Sequence, residues 1–422
     1  MGDNGGVRAH CAVFQGSWPV RILFVSLAVP FPPTNGHRIR NWILLRALTD
    51  EGHAVSLVSF AEAGELEGDP RRFEDLCGDV KLVPSPASVS GWRGYAERLR
   101  AIGSTLPFGV RRFRSEAMRR AVREVMAVGS FDCVICDDIY QVENVRDTGA
   151  VPVLLNKHDL THVILRRFAG YARSPLQRAY AWLEYRKLRR WETHACRLPG
   201  VLACSDADRR ALLALVPSAR IEIVPNAIDT QSYSPAPGGG DGPAIVLYFG
   251  SMDWYPNIDA VAYFAAEILP ELERRVPAVR FRVAGRNPPR SLCRRFARAP
   301  VVEFTGTVSD IRAEIAAATV CVVPLRIGSG TRLKILEAGA MEKAIVSTRI
   351  GAEGLDFEDG VDIILADNPV AFAHAVADLL ADPARRRELG LAARRRVEHD
   401  YSLPAVRAAF RHALPRLVGN RG

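Results

Sequence analysis

The chain has 422 residues, 48% of them hydrophobic, and a formal net charge of +9 from 56 basic and 47 acidic side chains. That length exceeds one ordinary core, so two domains of roughly 200 residues each are expected, with ample apolar content for packed interiors. No stretch approaches the roughly 18–20 apolar residues of a membrane-spanning helix, and a high pI without a recognition motif gives no support for nucleic-acid binding.

Residues 1–18, MGDNGGVRAHCAVFQGSW, are polar and glycine-rich without an apolar h-region, which predicts a disordered leader and not a secretory signal. Residues 20–29 (VRILFVSLAV) fit a central strand. The turn PFPPTNG, a helical pattern through Trp42, Leu45 and Leu48, and the run GHAVSLVSF then complete a βαβ opening. Further strands are predicted at 80–83, 133–136, 151–155, 200–204 and 221–224. Residues 234–243, SPAPGGGDGP, hold no apolar anchor and read as a linker. A second series follows at 245–250, 281–284, 301–304, 320–323, 344–347 and 363–365. Strands alternating with helices imply mainly parallel sheets. The expected fold class is α/β, with two Rossmann-like doubly wound domains (19–233 and 244–400) facing across a cleft, and a terminal segment at 401–422. The eight cysteines are scattered, and the close pair Cys133 and Cys136 has no second pair or histidine nearby. Buried thiols in a reducing cytoplasm fit that spacing better than a metal site.

Residues 322–355 carry the most chemistry. An apolar run ends at Pro324, and a glycine-rich loop follows with Arg326, Gly328, Gly330, Arg332 and Lys334. A helix bearing Glu337 and a short strand at 344–348 close the unit. Small residues let backbone amides approach a phosphate, a helix N-terminus favours negative charge, and the cations add counter-charge. A carboxylate one turn into the helix is placed to hold a ribose hydroxyl pair. The glycine loop alone is equally compatible with an ordinary αβ connection; Lys334 tips the balance, because it is one of only five lysines and precedes Glu337 by three residues.

This segment resembles the donor-sugar signature of glycosyltransferase family 4, in its branch with G-x-G-x-R-x-K-x-L-E-A. Arg332, Lys334, Leu336, Glu337 and Ala338 fall on the pattern, and Val346, Ser347, Thr348, Gly351, Glu353 and Gly354 fall on the following V-S-T-x-x-G-x-E-G. Gly36 and Arg40 are similar to the first-loop pattern P-x-P-x-x-G-x-x-x-R. HDLTHVILRR, CSDADRRAL, VPNAIDTQSYSP, GSMDWYPNIDA, VAGRNPPRSL and FTGTVSDI resemble further blocks in order, VPNAIDTQSYSP matching V-P-N-G-V-D-x-x-x-F-x-P at the domain hinge.

The resemblance implies a GT-B fold whose last helix, YSLPAVRAAFRHAL, crosses back onto the first domain. It implies a retaining enzyme that moves a hexosyl group from a nucleotide-diphosphate sugar to a hydroxyl of a glycan, a glycolipid or a small molecule. No cofactor and no metal are expected. The residues it implies as catalytic are His158, Arg332 and Lys334. Those implied for the donor are Gly36, Trp254, Asn257, Arg286, Gly328, Ser329, Gly330, Thr331 and Glu337. Many members carry two glutamates, of which the second matches Glu337 while the first position is Ser329; amides of the glycine loop are expected to serve instead. The loop GSMDWYPNIDA lacks the family's usual cation, so counter-charge falls to Arg332, Lys334 and Arg286.

Alternatives stand beside several of these residues. Trp254 either contacts ligand or packs under its loop, and Asn257 either binds ligand or caps a helix over 258–269. His158 either meets a sugar hydroxyl or is satisfied by Asp159 or loop backbone, with His37 and His162 as weaker candidates. Asp137 and Asp138, directly after a strand, are the nearest carboxylate pair for a metal, on weak evidence. In the acceptor domain, Tyr180, Trp182, Tyr185 and Trp191 interleave with Arg178, Arg186, Arg189 and Arg190. Such a helix either rests on an anionic membrane as a peripheral contact of a cytoplasmic protein, or packs its aromatics inward with solvated arginines. Two further readings of the whole chain are a degenerate GT-B protein without turnover and an NAD(P)-dependent Rossmann enzyme. Against the last, the first strand leads into VPFPPTNG and not into G-x-G-x-x-G.

Overall fold

The structure, a computed structural model, describes residues 19–66, 73, 76–86, 91–172, 174–235, 244–297 and 299–419. The expected leader and most of the expected linker lie outside the described residues.

The first sheet contains β1 (Arg21–Ser26), β2 (Ala54–Ala61), β3 (Val80–Pro84), β4 (Cys133–Asp137), β5 (Val153–Asn156), β6 (Gly200–Ala203) and β7 (Ile221–Ile223). All pairs are parallel, in the order β3-β2-β1-β4-β5-β6-β7. The second contains β8 (Ile245–Phe249), β9 (Arg280–Ala284), β10 (Val302–Gly306), β11 (Val320–Val323), β12 (Ile345–Ser347) and β13 (Ile364–Leu365), in the order β10-β9-β8-β11-β12-β13, again all parallel. The central strands β4, β5 and β11 are buried along their whole length, as expected where helices cover both faces. Cys133 and Cys136 are part of that core, and burial pushes both thiols up.

Each sheet reverses its winding once, between β1 and β4 in the first and between β8 and β11 in the second. Crevices form at the carboxyl ends of strands at such switch points. The chain therefore opens one crevice in each domain.

The helix Gly36–Asp50 leaves β1, capped by the Asn35 side chain on the amide of Arg38 at 3.1 Å. The last helix, Leu403–Val418, packs on it. Its Arg407 meets Glu51 at 2.6 Å, and Leu417 closes against Gly200, where a side chain would collide. Phe410 and Leu414 of this helix are buried in one core with Leu44 of the first domain and Phe372 of the second.

One helix differs from expectation. It begins at Tyr255, with Pro256 in its first turn, and not at 258. It runs as α-helix through Tyr255–Tyr263, widens to a π-turn at Phe264–Ile268, and resumes at Leu269–Arg275. Pro270 has no N–H for an i→i−4 bond, which is the physical reason for the irregular turn before it. Among the described residues no helix is long and apolar enough to cross a membrane.

Candidate functional site

The loop after β11 faces the N-terminal domain directly. Gly330 adopts φ +75°, and a Cβ there would lie 2.7 Å from the carbonyl oxygen of His158. Leu160 N–H donates to Ser329 Oγ at 3.1 Å, and Asn226 Nδ2 donates to Thr331 Oγ1 at 2.5 Å. Arg167 forms a fork on Glu353 at 2.6 and 2.8 Å and also donates to the Gly328 carbonyl. A Cβ on Gly36 would come within 3.3 Å of Leu333. The two domains are closed on each other at this loop.

Within the loop Arg332 turns inward. Its guanidinium donates to the carbonyls of Ser329 and Gly330, and to Ile350 O at 3.4 Å. In a trans peptide the N–H points opposite the C=O. The amides of Gly330 and Thr331 are thus directed away from the guanidinium, and neither finds a protein acceptor among the described residues. Burial lowers the Arg332 pKa.

Lys334 follows, in the first turn of the helix Leu333–Ala340. Its ammonium donates to Tyr248 Oη at 2.8 Å and to Asn257 Oδ1 at 3.0 Å, and lies 4.3 Å from the Tyr248 ring centroid. Among the described residues no carboxylate lies within ion-pair distance of it. Burial, with the neighbouring Arg332 charge, lowers its pKa to about 7 against the pull of Glu337. A partly desolvated cation held only by neutral dipoles is costly until an anion joins it. Asn257 is part of this arrangement and not a cap; the N-cap position belongs to Trp254. Asn257 Oδ1 also accepts from Tyr248 Oη at 2.7 Å, and its Nδ2 donates to Ser251 O at 2.7 Å. Gly250 permits this packing, since a Cβ would stand 3.0 Å from Asn257 and 3.2 Å from the Lys334 ammonium.

Three other predicted residues sit as follows. Glu337 is buried, and burial raises its pKa against the effects of Tyr233 and Lys334. Trp254 is 48% exposed, so it does not pack beneath its loop. Arg286 is already paired, with Asp253 at 3.0 Å and Ser251 Oγ at 3.0 Å.

Across the cleft, His158 follows β5 and its Nε2 lies 2.5 Å from Asp137 Oδ1. His37, from the helix Gly36–Asp50, places its Nε2 2.9 Å from Oδ2 of the same aspartate. The two imidazoles stack with centroids 4.6 Å apart. Asp137 ends β4 and is fully buried, where it also accepts from Asn41 (2.7 Å), Asn156 (3.1 Å), Ser26 Oγ (3.2 Å) and Leu27 N–H (3.1 Å). Burial opposes its ionisation, but His37 and His158 outweigh that and hold its carboxyl well below the usual range. The two rings diverge. At His37 the aspartate overcomes desolvation and raises the pKa; at His158 desolvation wins and lowers it. Neither ring's Nδ1 has a protein partner among the described residues.

The sequence suggested Asp159 or loop backbone as the partner of His158; the structure gives it Asp137, a carboxylate it shares with His37. Asp137 belongs to a strand end saturated with hydrogen bonds, not to a loop carboxylate pair. The only available signal was its place after an apolar run, which did not separate it from Asp138. His162 is engaged elsewhere, by the buried Glu192.

The aromatic–basic helix is Pro175–Ala195. Trp191 points inward and donates to Ile139 O at 2.9 Å, while Trp182 is 46% exposed. Arg189 and Arg190 line a shallow cavity of about 340 Å³ with Thr193, His194, Arg197 and Leu215.

Comparison with known proteins adds to this geometry. Residues 34–232 match the family model described as Glycosyltransferase Family 4, and residues 243–382 match that described as Glycosyl transferases group 1. A GDP-mannose-dependent alpha-(1-6)-phosphatidylinositol monomannoside mannosyltransferase of Mycolicibacterium smegmatis is 31% identical over 205 residues, 43% of this chain and 52% of that protein. The match thus spans about half the length of that relative. Among solved structures, sucrose-phosphate synthase from Thermosynechococcus elongatus superposes with a TM-score of 0.69 at 18% identity, covering 94% of this chain and 99% of the other. Anabaena HepE in complex with UDP and glucose gives 0.63 at 14% identity, over 94% and 99%.

Proposed function

This chain belongs to glycosyltransferase family 4 and is a glycosyltransferase of GT-B architecture, and from that premise we propose that it is a retaining enzyme transferring a hexosyl group from a nucleotide-diphosphate sugar to an acceptor hydroxyl. The observation that carries this reading is the half-buried Lys334 ammonium, held only by neutral groups, on the helix that follows a loop whose Gly330 and Thr331 amides have no protein acceptor among the described residues. A donor diphosphate brings roughly two to three negative charges, which such a site is built to receive. The relative named for GDP-mannose and the structure solved with UDP support a nucleotide-sugar donor of either base.

In this reading the helix Leu333–Ala340 directs its N-terminus at the phosphates and Glu337 holds the ribose. As the bond from the sugar to the β-phosphate breaks, negative charge grows on the leaving oxygen. Lys334 and the amides of Gly330 and Thr331 stabilise it, and Arg332 keeps the loop in the shape that presents those amides. No metal is required for that neutralisation. The acceptor hydroxyl approaches on the leaving-group face, which retains the anomeric configuration, and His158 orients it from the N-terminal domain. A glycan, lipid-linked or small-molecule acceptor fits; a lipid-linked one suits the exposed Trp182 and the arginines of Pro175–Ala195, which would make peripheral contact with the inner membrane face.

The test is a thermal-shift screen against UDP, GDP, ADP, dTDP, their common sugar conjugates and NAD(P), with Glu337→Ala and Lys334→Ala alongside. The expected result is stabilisation by one nucleoside diphosphate and its sugars, lost in both variants, with transfer from that donor abolished. Stabilisation by NAD(P) alone would overturn the reading. Binding with no turnover on any acceptor would leave a donor-binding protein only.

A further inference from the structure

Tyr233 lies in the segment joining the two sheets, 104 residues before Glu337, yet its hydroxyl donates to Glu337 Oε1 at 2.9 Å. The surrounding backbone is held from three sides. Asp229 accepts from the amides of Gln231 and Ser232 at 3.1 and 3.3 Å. Arg312 donates to the Ser232 carbonyl at 3.0 Å, and Arg394 donates to the Tyr233 carbonyl at 3.1 Å. The phenol packs against the apolar core. Its hydroxyl thus has little freedom to leave the carboxylate.

Glu337 has few other constraints. It is buried on the helix Leu333–Ala340, and no described protein group donates to its Oε2. A carboxylate offers about four acceptor positions on two oxygens. Tyr233 anchors one oxygen of the carboxylate and leaves Oε2, which is not among the fully buried atoms, available to a ligand. The hinge pattern that this segment resembles has Phe at this place, which cannot donate; here the residue is Tyr.

We propose that Tyr233 is a positioning residue that fixes the Glu337 carboxylate for bidentate recognition of the ribose hydroxyls, so that discrimination between ribo- and deoxyribonucleotide donors depends on a hinge side chain. The inference rests on the reading that Glu337 holds the ribose. A site built to accept a hydroxyl discriminates strongly against an analogue lacking it, because the buried acceptor is then left unpaired. That penalty is large only while the carboxylate is held in place. The same hydrogen bond ties the helix Leu333–Ala340 to the segment that joins the two sheets.

The experiment measures dissociation constants by calorimetry for the preferred nucleoside diphosphate (UDP or GDP) and its 2′-deoxy and 3′-deoxy forms. The proteins are wild type, Tyr233→Phe, Glu337→Gln and the double variant, each full-length and checked for an unchanged thermal midpoint without ligand. The wild type is expected to prefer the ribonucleotide by about tenfold or more. Tyr233→Phe should weaken ribonucleotide binding severalfold, leave the deoxy forms nearly unchanged, and so collapse the ratio. The double variant should bind no worse than Glu337→Gln alone. Undiminished discrimination in Tyr233→Phe, equal weakening of all three ligands, or additivity with Glu337→Gln would each overturn the proposal while leaving Glu337's role standing. Absence of discrimination in the wild type would overturn that role, and the proposal with it.

Discussion

The half-buried ammonium of Lys334 leads to a pH dependence with a definite sign. Its pKa is about 7 in the ligand-free protein, against an ordinary 10.5, mainly because burial penalises the charged form. A bound diphosphate favours that form and returns the pKa toward its ordinary range. Donor binding must then take up a proton above neutrality. With about 7 free and about 10 bound, uptake is about 0.5 proton at pH 7 and about 0.9 at pH 8. Affinity falls about fivefold between those two values and about eightfold over the next unit. Stability of the empty protein moves the other way. The unfolded chain holds the proton up to about 10.5 and the folded one only to about 7, so this group's unfavourable contribution is full below about 7 and fades as pH rises. The assay is calorimetric titration of the intact nucleotide sugar, which lacks the secondary phosphate ionisation of a free diphosphate, in buffers of different ionisation enthalpy. Lys334→Arg should flatten the profile, because a guanidinium stays charged throughout. A constant dissociation constant from about pH 6.5 to 9, with no proton uptake, would refute the reasoning.

Three further outcomes follow from the site. Asp137→Asn removes the charge that supports protonation of both His37 and His158; turnover should fall at least about tenfold with nucleotide affinity unchanged, and both rings should titrate lower in ¹⁵N-histidine spectra. Gly330→Ala asks a non-glycine residue to hold φ +75° and thrusts a methyl at the His158 carbonyl; the thermal midpoint should drop only slightly, since the strain is about 1–2 kcal/mol, whereas turnover should fall about a hundredfold because the loop can no longer dock. If Lys334 and the loop amides supply the counter-charge as proposed, transfer activity should survive a chelator without rescue by magnesium or manganese; loss in chelator restored by either ion would reverse this.

Both sheets were legible because strands covered on two faces must be continuously apolar. Residues 133–136, 200–204 and 320–323 show that directly, and β4, β6 and β11 lie there. Local geometry was less legible where two signals compete, as in the helix at Tyr255, where Pro256 belongs to the first turn and Pro270 distorts the fourth.

By itself the sequence determined the two α/β domains, the glycine loop, and the spacing of Lys334 and Glu337, all of which depend on neighbours a few residues apart. Only the tertiary structure decided what those groups face. Asp137 meets His37 and His158 because β1, β4 and β5 are adjacent at a switch point, joining residues 100 and 21 positions apart. Arg286 is paired with Asp253 because the loops after β8 and β9 lie side by side. Tyr233 reaches Glu337 because the segment joining the two sheets lies against the helix Leu333–Ala340. Such partners are set by sheet order and domain closure, and no local period in the chain encodes them.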